Sequence, residues 1–168
     1  MSHPFRITVV CWGNICRSPM AEFVLRQQFE DAGLGARVEI SSAGTSTEEL
    51  GRPMDRRTIA VMERNQVRDS GFRDKRAIQF HSDSFDDADL VLAADHIHER
   101  ILGERARSGE DHAKVRMLRS FDPAALEAGT LAMDDPWYGD DEDFDITYAE
   151  IVAAAPGIVE FVRQELGD

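Results

Sequence analysis

Ile7 to Val10 is a short apolar, β-branched run that stops at Cys11, and the turn and helix start behind it limit the folds open to this chain. β-branched side chains are stiff and crowd a helix, so a run this short suits a strand buried on both faces. A Gly-containing turn comes next. Ser18-Pro19 then reads as an N-cap followed by proline at the first helical position. Ala21, Leu25, Phe29 and Ala32 recur at helical spacing, and Gly33 supplies a stop. The chain opens strand, loop, helix.

The alternation continues. Val38 to Ser41 is a second strand candidate, running into a loop of small residues, Ser42-Ala43-Gly44-Thr45. A helix is expected after Pro53, with Met54, Thr58 and Val61 on one face. Arg68 to Asp87 is polar and irregular. Leu90 to Ala94 reads as the next buried strand, with Asp95 able to cap a helix after it, and Val115 to Leu118 as a fourth. Ser120 to Asp145 shows no sustained period, which in a compact domain marks a functional or disordered loop. Tyr148, Val152, Ala155, Val159, Val162 and Leu166 form one apolar helical stripe, which Pro156 should kink. Strands alternating with helices predict an α/β domain with about four parallel strands, and the length fits one domain over residues 1–168. In such sheets the ligand site lies beyond the carboxyl ends of the strands, and Cys11 sits at one such end.

The net charge of −13 argues against nucleic acid or an anionic membrane as partner. Any anion site must therefore be local, built from backbone N–H groups and one or two arginines. The start, Met1-Ser2-His3-Pro4-Phe5-Arg6, lacks the apolar stretch of a secretory leader, and no run approaches the ~18–20 apolar residues of a membrane span. Two cysteines, five residues apart, are too few for a disulfide framework. A cytoplasmic protein with reduced thiols is expected.

Cys11-Trp12-Gly13-Asn14-Ile15-Cys16-Arg17-Ser18 joins a strand end to a helix N-terminus. N–H groups there have no helical partners, and the helix dipole adds positive potential. Gly13 allows a tight curl, and Arg17 offers a planar fork for two phosphate oxygens. The same field favours an ionised sulfur, which makes Cys11 a candidate nucleophile under a bound phosphoryl group. Spacing alone is weak, since two cysteines among 17 arginines meet such a pairing by chance roughly one time in five. The strand before it and the Ser-Pro helix start behind it strengthen the signal. For an acid, two Asp-Pro pairs compete. Asp122-Pro123 looks like a helix cap, whereas Asp135-Pro136 lies in the aperiodic stretch beside Trp137 and Tyr138.

Val9 to Glu22 resembles the signature of the low-molecular-weight protein tyrosine phosphatases. The similarity continues through Ser42 to Thr45, Gly51, Asp55 and Arg57. It returns at Ser120-Phe121-Asp122-Pro123 and at Asp135-Pro136-Trp137-Tyr138-Gly139, so it covers nearly the whole chain. The resemblance implies a flavodoxin-like three-layer fold around a four-stranded parallel sheet. It also implies hydrolysis of phosphotyrosine in protein substrates by a monomer, without metal or cofactor. Cys11 would be the nucleophile, Arg17 the phosphate clamp and Asp135 the general acid and base, with Asp134 a lesser candidate. Gly13, Asn14, Ile15, Cys16 and Ser18 would cradle the phosphate, and Trp12, Trp137 and Tyr138 would wall the ring. Asn14 and Ser18 would hold the loop in shape, with Ser42 as a partner. Cys16 would trap an oxidised Cys11 as a reversible disulfide, although a plain packing role suits it equally.

Two positions depart from the family pattern. Lys75 stands where many members carry a histidine, which puts the bracing of the loop in question. Glu48 stands where mammalian members have a pocket-lining aromatic, so peptide preference does not carry over. Phosphoarginine hydrolysis and arsenate reduction are the alternatives on the same fold. Members of the first tend to have threonine where this chain has Ile15, and the second needs cysteines beyond Cys16, of which there are none. His96 and His98 read as a solvated helix face, and the acidic run Asp140 to Asp145 as surface. No Gly-rich loop ending in Gly-Lys-Ser/Thr is present, which disfavours a nucleoside triphosphatase.

Overall fold

The computed structural model describes residues 3–69 and 71–168. The leader-free reading of Met1-Ser2, and Ser70 in the irregular stretch, lie outside the described residues. Four strands, β1 (Phe5–Cys11), β2 (Val38–Gly44), β3 (Leu90–Ala93) and β4 (Val115–Met117), form one sheet in the order β2-β1-β3-β4. Every pairing is parallel. Between and after them run α1 (Arg17–Asp31), α2 (Arg56–Arg64), α3 (His96–Arg105), α4 (Gly109–Ala113), α5 (Pro123–Ala128) and α6 (Asp141–Leu166).

The period of two along the strands explains the three layers. Ile7, Val9, Cys11, Leu90 and Leu92 enter one apolar cluster with residues of α1, α2 and α6. Val10, Val91 and Ala93, pointing the other way, enter a second cluster with Leu102 of α3 and with Phe80 and Phe85. Both faces of the sheet are covered, which is why these strands read as continuous β-branched or apolar runs. Each large apolar side chain so buried contributes about 1.5–3 kcal/mol. No helix of the described residues is long and apolar enough to cross a membrane.

Several boundaries differ from expectation. β2 runs on through Ser42, Ala43 and Gly44, expected to be loop, because β1 pairs with it as far as Cys11↔Gly44. The irregular stretch holds two 3₁₀ turns, Phe72–Asp74 and Ser82–Asp87. The aperiodic span holds α5, a 3₁₀ turn at Pro136–Tyr138 and the beginning of α6. The acidic run is that beginning. Asp140 caps the helix by accepting from the Glu142 N–H at 3.1 Å, and its own N–H donates to Asp143 at 2.9 Å. Asp141, Glu142 and Asp143 fill the first turn, where the helix dipole favours carboxylates. Pro156 lies within α6 and does not end it. Gly157 beside it admits the Phe121 carbonyl, which a Cβ at that position would strike.

Candidate active site

β1 delivers Cys11 to the carboxyl edge of the sheet, and α1 begins six residues later at Arg17. The intervening loop is held from outside. The Cys11 carbonyl accepts from the Thr45 N–H at 2.9 Å, that of Trp12 from Ser46 at 3.0 Å, and that of Ile15 from Asp55 at 2.9 Å. Asn14 takes a left-handed backbone, φ 60°, which asparagine tolerates better than most residues. Its side chain secures that conformation: Nδ2 donates to Ser18 Oγ at 2.7 Å and Ser42 Oγ at 3.0 Å, and Oδ1 accepts from the Ile78 N–H at 3.1 Å. Ser18 and Ser42 therefore do brace the loop. Ser18 is not the helix cap that its sequence context suggests, since Cys16 holds that position without a side-chain cap bond.

Gly44 lets this happen at close range. A Cβ there would stand 2.6 Å from the Trp12 carbonyl oxygen and 3.2 Å from the Asn14 nitrogen, both backbone atoms that cannot swing aside. Gly44→Ala is expected to destabilise the fold by about 1–3 kcal/mol and to distort the loop. Thermal melting and catalytic assay of the variant test this, and a Gly44→Ala protein matching wild type in both would refute the close-packing argument.

The hydroxyls are ordered by a buried carboxylate. Glu22, 3% exposed, accepts from Ser42 Oγ at 2.6 Å and pairs with Arg26 at 2.6 Å. With its proton committed to Glu22, Ser42 Oγ accepts from Asn14, and Asn14 donates onward to Ser18. The one hydroxyl proton of Ser18 then has two acceptors in reach, Cys11 Sγ at 3.0 Å and the Ala43 carbonyl at 3.3 Å. An ionised sulfur is the stronger of the two.

Arg17, 4% exposed, donates from Nη1 to the Met133 carbonyl at 2.8 Å. The same nitrogen lies 3.7 Å from Asp95, and Nη2 lies 3.4 Å from Asp135. Asp135 also accepts from the Trp137 N–H at 3.1 Å and so caps the Pro136–Tyr138 turn. Cys11, Trp12, Gly13, Ile15, Cys16, Arg17, Asp135, Trp137 and Tyr138 all line one cleft of about 150 Å³, with Glu48 and Glu49 at its rim. That volume suits a single phosphorylated side chain, well below the range of larger ligand sites. Of the competing acids, Asp122 does not line the cleft and caps α5 through the Ala124 N–H at 3.0 Å. Asp134 is exposed and does not line it either.

A model of the family described as low molecular weight phosphotyrosine protein phosphatase matches residues 6–167. The chain belongs to that family. The low molecular weight protein-tyrosine phosphatase A of Mycobacterium tuberculosis is 43% identical over 99% of this chain and 96% of that protein. The low molecular weight protein-tyrosine-phosphatase of Streptomyces coelicolor is 44% identical over 96% of each. Among solved structures, a protein tyrosine phosphatase from Entamoeba histolytica superposes with a TM-score of 0.85 at 24% identity. It covers 97% of this chain and 98% of that one, a likeness of fold. Vibrio vulnificus Wzb in complex with benzylphosphonate has a TM-score of 0.77 at 27% identity, covering 93% and 97%.

The two departures from the pattern of the low-molecular-weight phosphatases now have addresses. Lys75 reaches the loop's supports: Nζ donates to the Ser42 carbonyl at 2.9 Å and stands 3.8 Å from Glu22. The network is braced with an ammonium instead of an imidazole. Burial pulls Lys75 below its ordinary pKa while Glu22 pulls back. Glu48 accepts from the Trp12 indole at 3.1 Å. Cys16, like Cys11, is a buried free thiol, and burial followed by nearby Asp55 pushes its pKa far up.

The roles of three supporting residues are not evident from the sequence. Glu22 is hidden among apolar neighbours, although its i,i+4 relation to Ser18 and Arg26 is visible there. Asp95 occupies its expected cap position but makes no side-chain cap bond and pairs with Arg17 instead. Arg57 ties two parts of the site together, binding Asp55 at 2.9 Å and reaching the carbonyls of Trp137 at 3.4 Å and Gly139 at 3.3 Å.

His98 corrects an expectation outright. His96 is exposed, but His98 is 1% exposed, and neither ring nitrogen has a hydrogen-bond partner among the described residues. Burial first, then the Arg17 guanidinium, hold its pKa down at about 4, with Asp95 opposing. An unfolded imidazole protonates near 6.5, so between these values the unfolded chain binds the extra proton. This contribution is therefore complete above about pH 6.5 and is lost as pH falls toward 4, to an extent of about 3 kcal/mol. Melting temperatures should drop over that window by roughly 6–10 °C from this group, and His98→Leu should flatten the profile. Equal slopes in the two proteins would refute the assignment.

Proposed function

We propose that the chain hydrolyses phosphotyrosine monoesters in proteins through a phosphocysteine intermediate on Cys11. The observation that carries this reading is the convergence in one cleft of Cys11 Sγ under a hydroxyl donor, the Arg17 guanidinium and the Asp135 carboxylate. With the carbonyls of Cys11, Trp12 and Ile15 tied outward, the loop amides at the head of α1 are free to meet phosphate oxygens. Each such donor, preorganised in a dry site, supports roughly a 10²–10³-fold gain in rate.

Cys11 thiolate attacks phosphorus as the bond to the phenolic oxygen breaks, and Asp135 gives its proton to that oxygen. Water then attacks phosphorus, its proton passes to Asp135, and the sulfur–phosphorus bond breaks to return thiolate and free phosphate. Asp135 faces Arg17 at 3.4 Å. A bound phosphoryl dianion takes over that guanidinium. Trp12, Ile15, Trp137 and Tyr138 form the walls for the ring. Cys16, held as a thiol, is the group that would condense with a Cys11 sulfenic acid, expelling water to form a disulfide. The reading includes one catalytic unit over residues 1–168, acting as a monomer in the cytoplasm.

Purified, chelator-treated protein should hydrolyse p-nitrophenyl phosphate and be inhibited by vanadate. On matched peptides, phosphotyrosine should be turned over and phosphoserine should not. Faster turnover of phosphoarginine would move the assignment to that substrate, and inertness toward every phosphoester would remove it.

A further inference from the structure

Phosphate chemistry accounts for the floor of the cleft but not for its rim, where two carboxylates stand above an anion site. Glu48 is exposed, and Trp12 Nε1 donates to its Oε2 at 3.1 Å, so its orientation is set before any ligand arrives. The stem of Glu49 lies over the loop itself, its Cγ 3.1 Å from where a Gly13 Cβ would be. Its carboxylate meets only Arg52 among the described residues, at 3.3 Å, and that side chain is 72% exposed. A pairing so open to water is weak and readily exchanged. Arg17, which lines the same cleft, is turned to the Met133 carbonyl, Asp95 and Asp135.

Two aromatic residues lining the same cleft suit the same kind of ligand by an independent feature. Trp137 is 49% exposed and Tyr138 82% exposed, with their rings 5.0 Å apart and nearly perpendicular. Exposed aromatic faces attract ammonium and guanidinium groups. An acidic rim repels a bare phosphate dianion, so it favours a substrate that carries positive charge beside its phosphate.

We propose that Glu48 and Glu49 are specificity-determining residues that select phosphotyrosine substrates with lysine or arginine next to the phosphorylated residue. The proposal rests on the phosphotyrosine phosphatase reading above. Trp12 acts with them as the clamp that holds Glu48 in place.

The test uses two phosphotyrosine peptides, identical except for lysines or glutamates at the positions flanking the phosphotyrosine, with p-nitrophenyl phosphate as a substrate lacking flanks. An exposed charge pair changes affinity by about two- to fivefold, so the wild-type kcat/KM ratio should favour the lysine peptide by about tenfold at low ionic strength. About 0.5 M salt should shrink the ratio severalfold, because the charges are exposed. Glu48→Gln and Glu49→Gln should each reduce the ratio, and the double variant should bring it near one. A wild-type ratio near one, or a ratio unchanged in the double variant, with p-nitrophenyl phosphate still turned over, overturns the proposal and leaves the phosphatase reading standing. Inertness of wild type toward both peptides and p-nitrophenyl phosphate overturns the phosphatase reading, and this proposal with it.

Discussion

Cys11→Ser should lower turnover of p-nitrophenyl phosphate by about 10⁴-fold or more while the protein remains folded. A serine hydroxyl does not ionise under these conditions, and its hydrogen-bond partner is no base: Ser18 is a hydroxyl, and the chain behind it through Asn14 and Ser42 ends on Glu22. The replacement is nearly isosteric, and its oxygen would find Ser18 Oγ as a partner, so the fold has little reason to change. Phosphate binding should persist, because Arg17 and the loop amides are untouched. Steady-state kinetics, phosphate titration and thermal melting of the variant together make the test. Substantial activity in the Cys11→Ser protein would remove Cys11 as the nucleophile, whatever the melting curve showed.

Removing the Asp135 carboxyl should lower kcat by about 10²–10³-fold with KM unchanged or reduced. KM is not expected to rise, because Arg17 Nη2 loses a competitor when the carboxylate 3.4 Å away is gone. Asp135 also caps the Pro136–Tyr138 turn, so Asp135→Ala combines a chemical loss with a structural one of about 1 kcal/mol. Asp135→Asn separates them, since asparagine caps as well as aspartate but cannot supply the proton. Both variants should lose rate to a similar degree on tyrosyl phosphate, and less on aryl phosphates whose leaving groups need no proton. Asp122→Ala should leave kcat near wild type. Loss in Asp122→Ala with none in Asp135→Ala would transfer the acid role.

The contrast between those aspartates shows where local reading stops. Asp122 and Asp135 carry the same signature, an Asp-Pro pair, and in the structure both cap a helical turn by the same kind of bond, to Ala124 and Trp137 respectively. Neither the Asp-Pro pair nor the cap bond separates them. Position relative to Arg17, far earlier in the chain, does. The acidic run at Asp140 was illegible for another reason: a helix that opens on carboxylates has no apolar period there, and its stability comes from capping and the dipole.

From the sequence alone came the strand–loop–helix opening, the alternation that makes a parallel sheet, and the Cys11–Arg17 loop, because each is a property of neighbouring residues. β-branched runs and helical spacing act over one turn or one strand. The buried state of His98, the ordering of hydroxyls by Glu22, the reach of Lys75 to Ser42 and the need for glycine at position 44 were decided only by the tertiary structure. These depend on packing between segments up to dozens of residues apart, where desolvation and close approach, not local propensity, set the environment of each group.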